Sequence, residues 1–156
     1  KESPKAVGAV GTVTLGGSVI TPTDVVGVSA SGAVGTVVFA GSAVTITATY
    51  TVTVVSTGYG NKYAIDGVQQ DTVSLSEGNT YRFDQSDSSN SGHPLRFSTT
   101  SNGTHSGGSE YTTGVSTSGT PGSSGAYTQI TVASGAPTLY YYCTNHSAMG
   151  GTANTP

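Results

Sequence analysis

Residues 44–54 read Val-Thr-Ile-Thr-Ala-Thr-Tyr-Thr-Val-Thr-Val, a strict two-residue alternation. Val44, Ile46, Ala48, Tyr50, Val52 and Val54 fall on one face, opposite an unbroken row of Thr. Helical periodicity would scatter both sets around the axis, whereas a strand sorts them cleanly. At about 3.3 Å per residue the segment spans roughly 36 Å, longer than a typical strand. Its apolar residues are small, so the face needs cover from other chains or from the second half of this one.

The rest of the composition points the same way. Gly, Ser and Thr number 23, 22 and 26 of 156 residues, Val occurs 18 times, Leu four times and Trp never. Helix formers are scarce and strand formers abundant, which excludes a helical bundle or a doubly wound α/β fold. Only 8% of residues are charged, with a net charge of -3 and no basic run, so nucleic-acid binding is not expected. No stretch approaches the roughly 18–20 continuous apolar residues of a membrane span. The sequence begins at Lys1 without a charged-then-apolar signal segment, so a removed start or a longer parent polypeptide is expected. Low charge with abundant Thr, Ser and Gly suits an extracellular or particle-bound β protein.

The chain divides into two chemistries. Residues 1–58 hold four charged side chains, one Phe and one Tyr. From Tyr59 onward come eight of the nine Tyr, all three His and the one Cys. Ser56-Thr-Gly-Tyr-Gly60 reads as a linker or sharp turn, placing the boundary between residues 1–58 and 59–156. In the first part Gly8-Ala-Val-Gly-Thr-Val13 recurs letter for letter as Gly32-Ala-Val-Gly-Thr-Val37, a period of 24 residues. Such a repeat signals one supersecondary unit and its copy, each a short Val/Thr strand closed by a Gly-Ser turn. Residues 1–58 are therefore expected to be a β-rich attachment segment.

Residues 59–156 read as an all-β sandwich, with strands expected over 63–67, 72–75, 80–83, 95–99, 127–132 and 138–143. Residues 100–125, rich in Gly and Ser, read as a long surface excursion.

The lone Cys143 has no partner for an intrachain disulfide. It opens Cys143-Thr-Asn-His146-Ser-Ala-Met149, a C-x2-H-x2-M run at the end of an expected strand. His93, in Gly92-His-Pro-Leu-Arg-Phe97, stands fifty residues upstream before another strand. One thiolate, two imidazoles and a weak thioether make up the ligand set of a type 1 copper site. Zinc would more often recruit a carboxylate or second thiolate. The alternative is a buried Cys behaving as a small hydrophobe beside surface histidines.

The run from Tyr140-Tyr-Tyr-Cys through Met149-Gly-Gly151 resembles the copper-ligand loop of the cupredoxins, in the shortest spacing that family uses. The resemblance covers about residues 60–151 and implies a Greek-key cupredoxin-like β-sandwich. It implies His93, Cys143 and His146 as equatorial copper ligands and Met149 as the axial one. Pro94 departs from the family, many of whose members have Asn there, contributing to hydrogen bonds between the ligand loops. Residues 66–100, with Gly119-Thr-Pro-Gly122, Gly125-Ala-Tyr127 and the Tyr140–Cys143 run, also resemble cupredoxin-like modules of predicted virion proteins in marine and cyanobacterial phages.

These resemblances imply a structural or displayed virion component (a fibre, tail or capsid-decorating protein) or a part of a similar extracellular assembly. Residues 1–58 would engage further copies of the chain and other assembly proteins, and copper would act as a staple for a Leu-poor core. The alternative is a blue copper electron-transfer protein. No catalytic constellation is present, so no enzyme is expected, and a surface-binding adhesin has no motif behind it. His105 reads as a solvated loop residue. Asp84, Asp87 and Asn90 read as turn caps rather than a calcium loop. Tyr140 and Tyr142 should face one way and Tyr141 the other.

Overall fold

The computed structural model describes residues 28–31, 36–39 and 44–155, and two compact units emerge, residues 1–43 and 44–156. In the first unit β1 (Val28–Ser31) and β2 (Thr36–Phe39) pair antiparallel, with Val28 opposite Phe39. The first repeat copy and Gly32–Gly35 of the second lie outside the described residues.

The second unit is all-β. Its strands are β3 (Ala48–Thr57), β4 (Gly60–Ile65), β5 (Val68–Gln69), β6 (Val73–Ser74), β7 (Thr80–Asp84), β8 (Leu95–Ser98), β9 (Glu110–Tyr111), β10 (Val115–Ser118), β11 (Tyr127–Thr131), β12 (Leu139–Cys143) and β13 (Gly151–Asn154). One sheet has the order β10-β11-β7-β3-β4-β5 and the other β6-β13-β12-β8-β9. Both are mixed, because β3 runs parallel to β7 and β13 parallel to β6.

The alternating segment forms β3, starting at Ala48 rather than Val44 and running three residues further, to Thr57. Val52 is fully buried while Thr49 and Thr51 are exposed, as the alternation requires. The cover for this face comes from its own unit: the Tyr50 ring lies 5.1 Å from Phe83 and 6.2 Å from Tyr81. The boundary expected after residue 58 therefore falls inside a hairpin. Here β3 pairs with β4 from Val52↔Ile65 to Thr57↔Gly60, and the compact unit begins at Val44.

The sheets meet through aromatic rings. Phe83 of β7 packs edge-on against Phe97 of β8 at 5.3 Å, and Tyr141 of β12 lies 6.3 Å from Tyr63 of β4. Burying rings of this size supplies the apolar area that four Leu cannot. The stretch 100–125 is more ordered than a surface excursion. It contributes β9 to the edge of one sheet and β10 to the edge of the other, joined to a 3-10 turn over Gly103–Ser106. β13 was not expected, since Gly-Thr-Ala-Asn carries almost no strand signal. It is held by pairing with β12 and β6, which buries Ala153 completely.

Candidate metal centre

Cys143 is the last residue of β12, whose alternation sends Leu139, Tyr141 and Cys143 inward; Cys143 is fully buried. The pairing of β12 with β8 sets Cys143 opposite Leu95, two residues after His93. Register thus delivers the first histidine to the thiol across fifty residues of chain. The loop after β12 then turns back and brings His146 to the same place. Cys143 Sγ lies 3.8 Å from His93 Nδ1 and 3.7 Å from His146 Nδ1, and the three candidate ligand atoms lie within 4.8 Å of one another. The two imidazole rings sit 4.5 Å apart, His93 buried and His146 exposed.

The two sulfur–nitrogen separations fit a shared metal ion. With bonds of about 2.3 Å to sulfur and 2.0–2.1 Å to nitrogen, sulfur and nitrogen stand roughly 3.8 Å apart at 120° and about 3.6 Å apart at the tetrahedral angle. The observed pair lies at the trigonal end. Met149 is buried in the same core cluster as Cys143 and lines the cleft that His146 also borders.

The segment carrying His93 is built by polar side chains. Asp87 caps the 3-10 turn Ser88–Asn90 by accepting from Ser89 N at 2.9 Å, and Asp84 Oδ1 accepts from Ser86 N at 2.8 Å. Both aspartates are the expected turn caps. Asn90 goes further: fully buried, it donates from Nδ2 to the Val52 carbonyl at 2.7 Å, and its own carbonyl accepts the His93 amide at 2.8 Å. The His93 carbonyl receives two buried donors, Tyr63 OH and Gln85 Nε2, both at 2.8 Å. Gln85 Oε1 takes the Leu95 amide at 3.1 Å. Burial pushes the Tyr63 phenol far above its usual range, with the nearby Cys143 adding to the shift, so it stays a neutral donor.

The two ligand loops are tied directly. The Thr144 amide donates to the Pro94 carbonyl at 3.1 Å and the Asn145 side chain to the Gly92 carbonyl at 2.9 Å. Pro94 cannot donate, so this chain places the donors on the Cys143 loop. At the loop's far end Lys62 Nζ donates to the Ala148 carbonyl at 2.6 Å and Gln70 Nε2 to the Gly150 carbonyl at 2.6 Å. The Tyr63 amide donates to the Met149 carbonyl at 2.9 Å. A Cβ at Gly150 would overlap the Tyr141 carbonyl, so only glycine lets the loop pass so close to β12. Lys62, Gln70, Gln85 and Asn145 carried no motif. Their roles depend on where their targets' carbonyls end up in space.

His105 departs from expectation. Its ring is exposed, yet Nε2 lies 2.9 Å from the Cys143 carbonyl and the ring meets Tyr142 edge-on at 6.4 Å. Of the three tyrosines, Tyr141 enters the core and Tyr142 is buried on the opposite face beneath this histidine. Among the described residues the buried Tyr142 hydroxyl makes no hydrogen bond of normal geometry, with the Thr104 side chain close by. A buried hydroxyl left unpaired costs about 1–3 kcal/mol. Tyr142→Phe is therefore expected to stabilise the protein by about 1 kcal/mol, read as a higher urea midpoint at constant m-value. A loss of stability would mean that the hydroxyl is paired.

Burial, with His146 as a second cause, holds His93 below the usual histidine pKa. A neutral imidazole is the ligating form. In metal-free protein the unfolded chain takes up this proton near pH 6.5 and the folded chain only at lower pH, so protonation favours unfolding across that interval. The metal-free domain should hold its stability above about pH 7 and lose it as pH falls below 6.5. His93→Gln should flatten that part of the profile.

Comparison with family models, with curated proteins and with solved structures gives no match.

Proposed function

We propose that residues 44–155 form a cupredoxin-like copper-binding domain. In it His93, Cys143 and His146 hold a single ion, with Met149 as the weak fourth ligand. The observation that carries this reading is the convergence of two Nδ1 atoms on one thiol, each at a sulfur–nitrogen separation that a shared metal ion allows. Thiolate, imidazole and thioether favour copper over the harder cations, and among the described residues no carboxylate joins the cluster. When bound, copper would supply a one-electron redox couple and a bond between two loops. This chain's own residues keep His93 neutral, hold both loops by hydrogen bonds and bury the thiol from solvent.

In this reading the domain is the displayed part of a virion protein or a comparable extracellular assembly, and the metal is chiefly a staple. The first unit, with its β1–β2 ladder, would engage neighbouring chains. Electron transfer is the second reading, favoured by the exposure of His146, the one ligand edge that a partner could approach.

Copper titration of the full chain, followed by absorbance, metal analysis and sizing, tests these readings. One equivalent of copper with an intense visible thiolate band supports the site. A large oligomer supports the assembly reading, and a monomer with fast reversible reduction supports electron transfer. Failure to bind copper overturns both uses of the metal.

A further inference from the structure

A single turn touches both ends of the Cys143–Met149 run. At one end the ring of His105 meets the Cys143 carbonyl at 2.9 Å. A carbonyl only accepts, so Nε2 carries the proton and donates. At the other end Asn102 Oδ1 accepts the Ala148 amide at 2.7 Å. Asn102 is the N-cap of the 3-10 turn Gly103–Ser106 and His105 lies within it; the turn is closed by His105 N to Asn102 O at 3.2 Å and Gly108 N to Gly103 O at 3.1 Å. Between them Gly103 packs against the Tyr142 ring, where an added Cβ would stand 2.6 Å from the ring carbons.

Asn102 and Ala148 both adopt positive φ, 62° and 59°. Non-glycine residues seldom hold that conformation without support from their surroundings. The bond between Asn102 and Ala148 supplies support to both. The ligand-bearing loop is thus gripped just inside Met149 and at Cys143 by one element that contributes no ligand itself.

We infer that the Asn102–His105 turn is a positioning device for the metal centre: His105 and Asn102 set where Cys143 and Met149 lie and how tightly the site retains its ion. The inference rests on the reading that His93, Cys143 and His146 bind a metal. Outer partners that orient ligands typically change metal affinity by 10–100-fold when removed. His105 is exposed and Asn102 half-buried, so their loss should leave the fold intact.

The test uses the full chain with His105→Ala, His105→Gln and Asn102→Gly, the last keeping the left-handed backbone accessible. Copper-loaded protein is mixed with excess chelator and the metal release rate and visible spectrum are recorded. His105→Ala and Asn102→Gly should release copper 10–100 times faster with a shifted thiolate band. His105→Gln, whose amide N–H can reach the same carbonyl, should restore the rate to within about threefold of the parent. Unchanged rates and spectra in both variants, with a copper-binding parent, overturn the inference. Amide exchange in metal-free protein separates this from failure of the metal reading. If the parent binds no copper, that reading falls, while the turn's grip is still judged by whether Asn102→Gly speeds exchange at Ala148. An unchanged rate there overturns the grip itself.

Discussion

Cys143→Ala should abolish the visible copper band and the copper-dependent gain in thermal stability together. The thiol is fully buried and Cys143 is the one cysteine of the chain, so no other thiolate can take its place. A ligand held at one hundred times its dissociation constant stabilises the folded state by about 2.7 kcal/mol. For a domain of this size that corresponds to a rise in melting temperature on the order of 10 °C. The parent should show that rise on loading and lose it on chelation, and the variant should show neither. Alanine is the cleaner replacement, because serine would bury a new hydroxyl in an apolar cluster. A melting curve of loaded parent that chelation leaves unchanged would remove the staple role, whatever the spectrum shows.

Gln85→Leu should damage the fold and the site at once. Gln85 is 1% exposed and uses both ends of its amide, donating to the His93 carbonyl and accepting from the Leu95 amide. Leucine fills similar space but leaves the Leu95 amide without that acceptor and the His93 carbonyl with Tyr63 alone. Stranding a buried amide and weakening its neighbour should cost about 2–4 kcal/mol, a fall in melting temperature on the order of 10 °C. Copper should also bind more weakly, because the His93 carbonyl loses one of its two donors and the Leu95 amide loses its side-chain acceptor. Gln85→Glu tests the point differently, as a carboxylate can accept from Leu95 but cannot donate to His93 while ionised. Intact stability in Gln85→Leu would show that the two hydrogen bonds carry little.

Most of the strands were legible in the sequence, because alternation is a local property of neighbouring residues. Thr80–Asp84, Leu95–Ser98, Tyr127–Thr131 and Leu139–Cys143 lie within a residue or so of their expected bounds. The misses have a common cause. Glu110–Tyr111, Val115–Ser118 and Gly151–Asn154 are strands because a neighbour offers them a ladder, and their own side chains barely favour the extended state. The domain boundary was displaced for a related reason. The change in composition near Ser56–Gly60 marks the tip of a hairpin, and composition does not record that β3 pairs with both β4 and β7.

For the site, the kinds and order of His93, Cys143, His146 and Met149 were readable, since spacing along one loop restricts what its side chains can reach together. The sequence by itself thus determined a layered β protein with one soft-ligand run at a strand end. Tertiary structure alone decided that β8 sits beside β12, which carries His93 to the thiol. It also decided that Gln85, Lys62 and the Asn102–His105 turn hold the surrounding carbonyls and amides. The division follows from range: periodicity and loop spacing are written in adjacent residues, whereas the hydrogen bonds that Lys62 and the Asn102–His105 turn make reach backbone groups 38 to 86 residues away and exist only once the sheets have packed.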